Sequence, residues 1–385
     1  MAVTPNLGFG LYIHWPFCQS KCPYCDFNSH VSSSIDQARW RHAYLSEIER
    51  IGAETAGRVL NTIYFGGGTP SLMDPELIGA ILDKVRRTWR QSNDIEITLE
   101  ANPSSVETGR FTGYRDAGVN RVSIGVQALV DADLDRLGRM HTVQEAFRAI
   151  DIGNLVFDRC NFDLIYARQD QSLLAWQKEL TIALSLGTSH LSLYQLTVED
   201  GTVFQQRSAR GLLTGLPGED LAADMFQMTQ DLSCTHGIPA YEVSNHARLG
   251  EESRHNMIYW RGGDYIGVGP GAHGRLSLAN ARVATKTIKF PTAWLNAVEN
   301  IGTGELPRET LSCEDTSAEY LMMGLRIKEG VSLSRYNALN GRDLDTKRID
   351  NLISLDLVSL KSDRLRATDK GMLVLNAILR DILIK

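Results

Sequence analysis

Between residues 11 and 195, short apolar runs rich in β-branched side chains alternate with longer stretches whose apolar positions recur at helical spacing. The strand-like runs fall at 11–15, 62–65, 95–100, 121–126, 161–165 and 190–196. They are apolar nearly throughout rather than alternating, the pattern of parallel strands covered on both faces. Between them, Tyr44, Ile48 and Ile51, or Leu173, Trp176, Leu180 and Leu184, each mark one face of a helix. Asp74 before Pro75 reads as an N-cap and first-turn proline. Gly118 and Gly187 stand where a left-handed C-cap is expected. Six strand–helix units in succession predict an α/β fold on a parallel sheet, either open or closed into a barrel.

From about 200 to 310 the pattern loosens, with glycine-rich loops around 261–274 and one long helix at 218–236. Beyond 314 it predicts helices at 318–328, 333–339 and 346–355, then a hairpin formed by 357–360 and 364–367, and a last helix to about 384. Three helices and a hairpin make a mostly helical, winged-helix-like unit. The chain thus divides into 1–200, 201–310 and 311–385.

With 385 residues, 43% hydrophobic and 22% charged, the chain has the composition of a folded protein with a large core. Lys plus Arg number 40 against 46 Asp plus Glu, a net charge of −6, so no basic face offers itself to nucleic acid. Packing or formation of a homodimer is the expected use of the carboxyl-terminal unit. The first residues, MAVTPNLGFG, lack the basic start and apolar core of an export signal. No apolar run approaches the roughly 18 residues of a membrane span. The expected location is the cytoplasm, where cysteines stay reduced. Three isolated ones, Cys160, Cys234 and Cys313, are expected to be small buried hydrophobes.

The other three form Cys18-Gln19-Ser20-Lys21-Cys22-Pro23-Tyr24-Cys25, a CxxxCxxC spacing. Three thiolates this close can converge on one soft metal centre. A structural zinc wants four ligands, and the fourth would have to come from His14, Asp26 or His30. Three cysteines on a 4Fe-4S cube leave one iron open to a cofactor or substrate. Gly66-Gly67-Gly68-Thr69-Pro70 follows the second strand. It is not a dinucleotide fingerprint, because Ser71 stands where the third glycine belongs, and it has no P-loop lysine. Three glycines at a strand end let a ligand approach the backbone closely. Glu100, Gln127 and Asp163 lie at or near the ends of later strands, where barrel side chains serve a site rather than packing. Arg139 could pair with a carboxylate there.

CxxxCxxC after a first strand resembles the radical S-adenosylmethionine (SAM) superfamily. That resemblance implies a partial βα (TIM-like) barrel, a 4Fe-4S cluster held by Cys18, Cys22 and Cys25, and SAM chelating the open iron, to be cleaved on reduction to a 5′-deoxyadenosyl radical. In that superfamily the GGGTP segment contacts the SAM amino group. Tyr12-Ile13-His14-Trp15-Pro16-Phe17-Cys18, GGGTP, Glu100-Ala101-Asn102-Pro103 and Ser123-Ile124-Gly125-Val126-Gln127 narrow the likeness to the coproporphyrinogen III oxidase-like branch. There, Tyr12, Gly67, Gly68, Thr69 and Glu100 would line the SAM site. Tyr24, Gln127, Arg139 and Asp163 match positions that contact SAM, in the oxidase partly a second molecule.

That branch contains an anaerobic oxidase, which decarboxylates two propionates of coproporphyrinogen III, and a chaperone that carries haem to acceptor proteins. The oxidase has a fourth cysteine, CxxxCxxCxC, where this chain has Phe27, and a longer segment than the 17 residues that precede Cys18 here. Arg254-His255-Asn256-Met257-Ile258-Tyr259-Trp260 resembles the chaperone's HNxxYW motif, which makes His255 the expected haem ligand. The resemblance therefore implies a haem chaperone. It departs from the branch at 167–171, where a Gly-Leu-Pro-Gly-Gln type loop is replaced by Ala167-Arg168-Gln169-Asp170-Gln171.

Overall fold

The computed structural model describes residues 7–32, 34–278, 281–340 and 344–383. The first six residues and the expected helix end at 384 lie outside them. Seven parallel strands form the body of one sheet: β1 (Phe9–Trp15), β2 (Val59–Gly67), β3 (Arg90–Ala101), β4 (Arg121–Gln127), β5 (Arg159–Tyr166), β6 (His190–Gln195) and, later in the chain, β8 (Asp264–Val268). The three-residue β7 (Asn245–Ala247) pairs antiparallel with β6 at one edge. At the other edge β9 (His273–Leu278), β10 (Ala281–Lys286) and β11 (Glu309–Thr310) extend the sheet antiparallel from β8. The order β11-β10-β9-β8-β1-β2-β3-β4-β5-β6-β7 curls without the two ends pairing, so the barrel is partial.

The six runs legible in the sequence are the centres of β1 to β6. Leu11, Ile13 and Trp15 on β1, with Leu60, Ile63 and Phe65 on β2, are fully buried. The helix Pro75–Thr88 lays Leu77, Ile78, Ile81, Leu82 and Val85 into the same core. Each such side chain contributes roughly 1.5–3 kcal/mol of burial. The opposite faces of β1 and β2 turn inward, where Gly10, Tyr12, Thr62 and Tyr64 meet a buried helix, Arg254–Trp260. At this inner end Glu96 on β3 takes ion pairs from Arg121 at 3.1 Å and Arg159 at 3.2 Å.

The structure departs from the sequence pattern at several places. The glycine-rich loop expected around 261–274 contains β8, which pairs with β1 from Phe9–Asp264 to Ile13–Val268. Gly267 hides this strand in the sequence, yet a side chain there would run into the His273 carbonyl. The helix expected to start at 318 begins at Cys313, because Ser312 and Asp315 form a capping box. The last helix is two, Asp369–Leu373 and Leu375–Leu383, parted at Val374. Cys160 is buried as expected, but Cys234 and Cys313 are exposed, on the outward faces of their helices.

The loop 167–171 has a definite shape. Ala167 and Asp170 both adopt the left-handed conformation, at φ 57° and 56°, which are the two positions where the related loop carries glycine. Buried Arg168 holds the loop, its guanidinium donating to Asp133 at 2.9 Å and Glu179 at 2.6 Å.

Beyond Cys313, Tyr320, Leu321, Leu325, Ile349, Leu352, Leu365 and Ile378 form a second core, between helices and a small antiparallel sheet made of Val331–Ser332, Val358–Lys361 and Arg364–Ala367. This is the winged-helix-like arrangement. Among the described residues no helix is long and apolar enough to cross a membrane.

Candidate functional site

The carboxyl ends of β2 to β6 open into a cavity of about 400 Å³ whose other wall is the cysteine loop. Cys18, Cys22, Tyr24, Cys25, Gly67, Gly68, Thr69, Glu100, Gln127, Arg139 and Asp163 all line it. Of the residues expected to hold the cluster, SAM or haem, Tyr12 and His255 do not line it, nor do the candidate zinc ligands His14 and His30. The Tyr12 ring lies behind Gly66 and stacks on Tyr64, with its hydroxyl on His14 Nδ1 at 3.0 Å.

All three thiols are free, and each has a polar neighbour. Thr69 Oγ1 donates to Cys18 Sγ at 3.3 Å, Arg139 Nη1 donates to Cys22 Sγ at 3.5 Å, and Cys25 Sγ lies 3.9 Å from Ser29 Oγ. Burial raises the Cys18 and Cys25 thiols above their ordinary range, so these thiolates want a positive partner. Among the described residues no three His, Cys, Asp or Glu side chains converge tightly enough for a single metal ion. His14, one candidate fourth zinc ligand, has both ring nitrogens engaged, by Tyr12 and by the Asn28 carbonyl at 2.9 Å. Three thiols around one cavity therefore suit a polynuclear cluster, not zinc.

The glycine run is the cradle beneath them. A Cβ on Gly68 would stand 2.7 Å from the Phe17 carbonyl oxygen and 3.0 Å from Cys18 Sγ. Gly67 adopts φ 117°, which turns its N–H onto Glu100 Oε2 at 3.1 Å. Tyr64 donates to the other carboxylate oxygen at 2.9 Å. Burial pushes Glu100 up to about 7 and Asp163 up to about 6, each opposed by its hydrogen bonds. Arg139 donates to Asn102 Oδ1 at 2.6 Å and to the Gly125 carbonyl at 2.7 Å, while its buried Nε has no partner. An orphaned guanidinium N–H on a cavity wall is a place for an acceptor such as a carboxylate. Gln127 lines the cavity at φ 72°, backbone strain of the kind found at binding sites. The thiols, the bare backbone and the orphaned donor fit a cluster with a small zwitterionic ligand on its open iron.

His255 sits elsewhere, inside the barrel on the helix Arg254–Trp260. Ser253 caps that helix, and its first turn is tied to the floor by the His255 N–H on Glu96 Oε1 at 3.1 Å. The imidazole is 1% exposed, and burial drives it down to about 3, so it is neutral. Its Nδ1 lies 2.7 Å from Thr62 Oγ1 and its Nε2 2.5 Å from the Tyr259 hydroxyl. A phenol is the more acidic of the two hydroxyls, which assigns Tyr259 as donor to Nε2 and Nδ1–H as donor to Thr62. The ring stacks on Tyr64 at 5.0 Å and 23°. The sequence does not single out Tyr64, which lines the cavity and donates to Glu100 but reads as one more aromatic in an apolar strand.

The comparisons with known proteins agree with this geometry. Residues 12–165 match the radical SAM superfamily, and residues 311–374 match the HemN C-terminal domain. Over 375 residues the chain is 37% identical to the heme chaperone HemW of Escherichia coli (strain K12), covering 96% of each. It is 33% identical over 390 residues to the HemW of Mycobacterium tuberculosis (strain ATCC 25618 / H37Rv), covering 100% of this chain and 97% of that one. The chain belongs to the HemW family of radical SAM proteins. A relative named radical S-adenosyl methionine domain-containing protein 1, mitochondrial, from Bos taurus is 35% identical over 384 residues, 97% of this chain and 87% of its own. Coproporphyrinogen III oxidase (HemN) from Escherichia coli shares the fold with a TM-score of 0.82 at 21% identity, over 99% of this chain and 91% of that one. Membership of the superfamily carries a 4Fe-4S cluster and SAM as cofactors.

Proposed function

We propose that this protein is a haem chaperone: it binds haem, carries a SAM-liganded 4Fe-4S cluster, and passes haem to acceptor proteins. The observation that carries the reading is the chain's relation over its whole length to proteins named heme chaperones, with His255 in the expected motif as the candidate haem ligand. In that role His255 would ligate the haem iron through Nε2, which requires the buried helix Arg254–Trp260 to open and Tyr259 to withdraw, and Thr62 on Nδ1 would fix the tautomer. Cys18, Cys22 and Cys25 hold the cluster. Gly67, Gly68, Thr69, Glu100, Tyr24, Gln127, Arg139 and Asp163 form the SAM site, with Tyr12 buttressing it from behind. The cluster and SAM together supply one-electron chemistry. The chain's own contribution is to seat them: Gly68 leaves room for Cys18, the Arg139 guanidinium would take the SAM carboxylate, and Glu100 and Asp163 would offset its positive charge.

The division at 200 and 310 is functional in this scheme, with the middle part bringing His255 into the barrel and the last part available for a homodimer or an acceptor. Six cysteines, all unpaired, suit a reducing cytoplasm. The fourth cysteine position of the oxidase is Phe27, 58% exposed at the cavity mouth. Anaerobic incubation with coproporphyrinogen III, SAM and dithionite is accordingly expected to give no protoporphyrinogen. Sustained turnover would contradict a purely carrier role.

SAM binding should depend on pH. A net cation favours ionised carboxylates, and Glu100 and Asp163 ionise only as pH rises through about 7 and about 6. Affinity for SAM is therefore expected to be roughly tenfold higher at about pH 8 than at about pH 6, a difference carried chiefly by Glu100. Anaerobic calorimetry in buffers of different ionisation enthalpy should also register proton release on binding. A flat pH profile would remove these carboxylates from the SAM site.

A further inference from the structure

Between Asp264 and Glu299 the chain carries no Asp or Glu, although acidic residues outnumber basic ones by 46 to 40 overall. Of the cations in that segment, Arg275 pairs with Glu319 at 2.7 Å and Arg282 with Asp264 at 3.3 Å, whereas Lys286 and Lys289 enter no ion pair among the described residues. Both lysines are exposed. Lys286 stands directly opposite His273 in the β9–β10 pair, so the two side chains leave the same face of the sheet. Lys289 is joined to the cysteine loop, where Asn28 Nδ2 donates to its carbonyl at 2.8 Å and to that of Pro270 at 3.0 Å. The contact brings up exposed Lys21, whose ammonium meets only the Ser29 carbonyl at 3.4 Å, and His30, whose ring lies 6.1 Å from that of Phe290. Phe290 is 69% exposed. Asp26 is the one acidic residue of 18–31.

His273 opens β9 as an exposed ring, and among the described residues neither of its nitrogens has a hydrogen-bond partner. Partial burial and the charges of Lys286, Arg275 and Lys289 lower its pKa, which leaves it neutral with a lone pair available to a metal. Burial, Lys21 and Lys289 lower His30 in the same way, so Lys289 lies close to both rings. A neutral exposed imidazole, a bare aromatic ring and unpaired lysines match the parts of haem: an iron that takes a nitrogen ligand, an apolar ring and two propionates. We propose that haem first lands on this face, with His273 on its iron, Phe290 against its ring, and Lys286 and Lys289 on its propionates. The inference rests on the reading of the protein as a haem carrier. It is separate from the final ligand, for which His255 is the candidate, because the landing face is open as it stands and no helix has to move. On a chain with net charge −6 the lysines also draw a dianionic ligand to this side. Moving on exchanges the His273 nitrogen for another ligand on the iron, with no change of oxidation state.

The test uses the full-length, cluster-reconstituted protein under anaerobic conditions, mixed with haemin in a stopped-flow instrument while the Soret band is followed. Two phases are expected, a fast one as haem lands and a slower one as it moves on. The fast rate constant should fall about tenfold between about 50 and about 300 mM KCl, because charge steers the step. Lys286→Glu/Lys289→Glu should slow it about tenfold at low salt. Lys178→Glu/Lys361→Glu, the same charge change on exposed lysines of other elements, should leave it nearly unchanged. His273→Ala should alter the spectrum reached at the end of the fast phase, and His273→Gln repeats the measurement should the first variant fold poorly. His255→Ala should keep the fast phase. A fast phase indifferent to His273, or slowed equally by both charge reversals, would overturn the proposal. A single phase that depends on His255 and ignores the lysines and His273 refutes the landing site alone. Wild-type binding that never saturates refutes the haem carrier and the landing site with it.

Discussion

Arg168→Leu is expected to lower stability by about 3–5 kcal/mol, because it leaves the buried Glu179 carboxylate without its cation. The guanidinium is 4% exposed, and its Nη2 donates to Asp133 and Glu179, of which Glu179 is itself 4% exposed. Glu179 also accepts the Leu129 N–H at 2.6 Å, which ties the loop after β4 to the same centre. Leucine is the residue of the related Gly-Leu-Pro-Gly-Gln loop, so the substitution restores a familiar sequence and still destabilises. The loss belongs to the partners. The double variant Arg168→Leu/Glu179→Gln should recover a substantial part of it, a coupling that a double-mutant cycle in urea would measure. Equal stability of Arg168→Leu and wild type would mean that the ion pairs are not what shapes this loop.

The second large effect is on the cluster. Gly68→Ala should abolish most iron loading while the barrel stays folded. The added methyl would press on the Phe17 carbonyl at 2.7 Å and on Cys18 Sγ at 3.0 Å, and the former is backbone in a loop closed by Gly68 N–H on the Trp15 carbonyl at 2.7 Å and Thr69 N–H on that of Phe17 at 2.8 Å. Overpacking of this sort costs about 1–3 kcal/mol, here spent displacing one of three thiols. Wild-type protein reconstituted under anaerobic conditions should hold roughly four irons per chain, and Gly68→Ala well under half of that. Cys234→Ser, altering an exposed thiol far from the loop, should load fully. Full loading of Gly68→Ala would show that the glycine is not the cradle.

Much of the barrel and its site could be read from the chain because each signal had one physical cause. Continuous apolar runs mark strands covered on both faces, and Glu100 and Gln127, which end such runs, and Asp163, which lies within one, line the cavity. The cysteine spacing and the glycine run are local and carry their chemistry with them. What stayed hidden depends on contacts distant in sequence. β8 is glycine-broken because the chain between Ala272 and His273 folds onto Gly267. Tyr64 reads as one more aromatic in a strand until Glu100, 36 residues later, and His255 come to lie on either side of it. The histidine motif stands out in the sequence, but its burial inside the barrel, with both nitrogens hydrogen-bonded, is a property of the packed helix alone. The 167–171 loop departs in sequence from the Gly-Leu-Pro-Gly-Gln type, and Ala167 and Asp170 adopt a left-handed conformation that glycine would adopt freely.

The central claim is tested most directly by titrating haemin into the anaerobically reconstituted protein and following the Soret band, with His255→Ala measured beside it. Saturation near one haem per chain is expected in the wild type, with weaker binding and an altered band in the variant. Binding that does not saturate, or that is indifferent to His255, would contradict it and return the protein to the radical SAM enzymes.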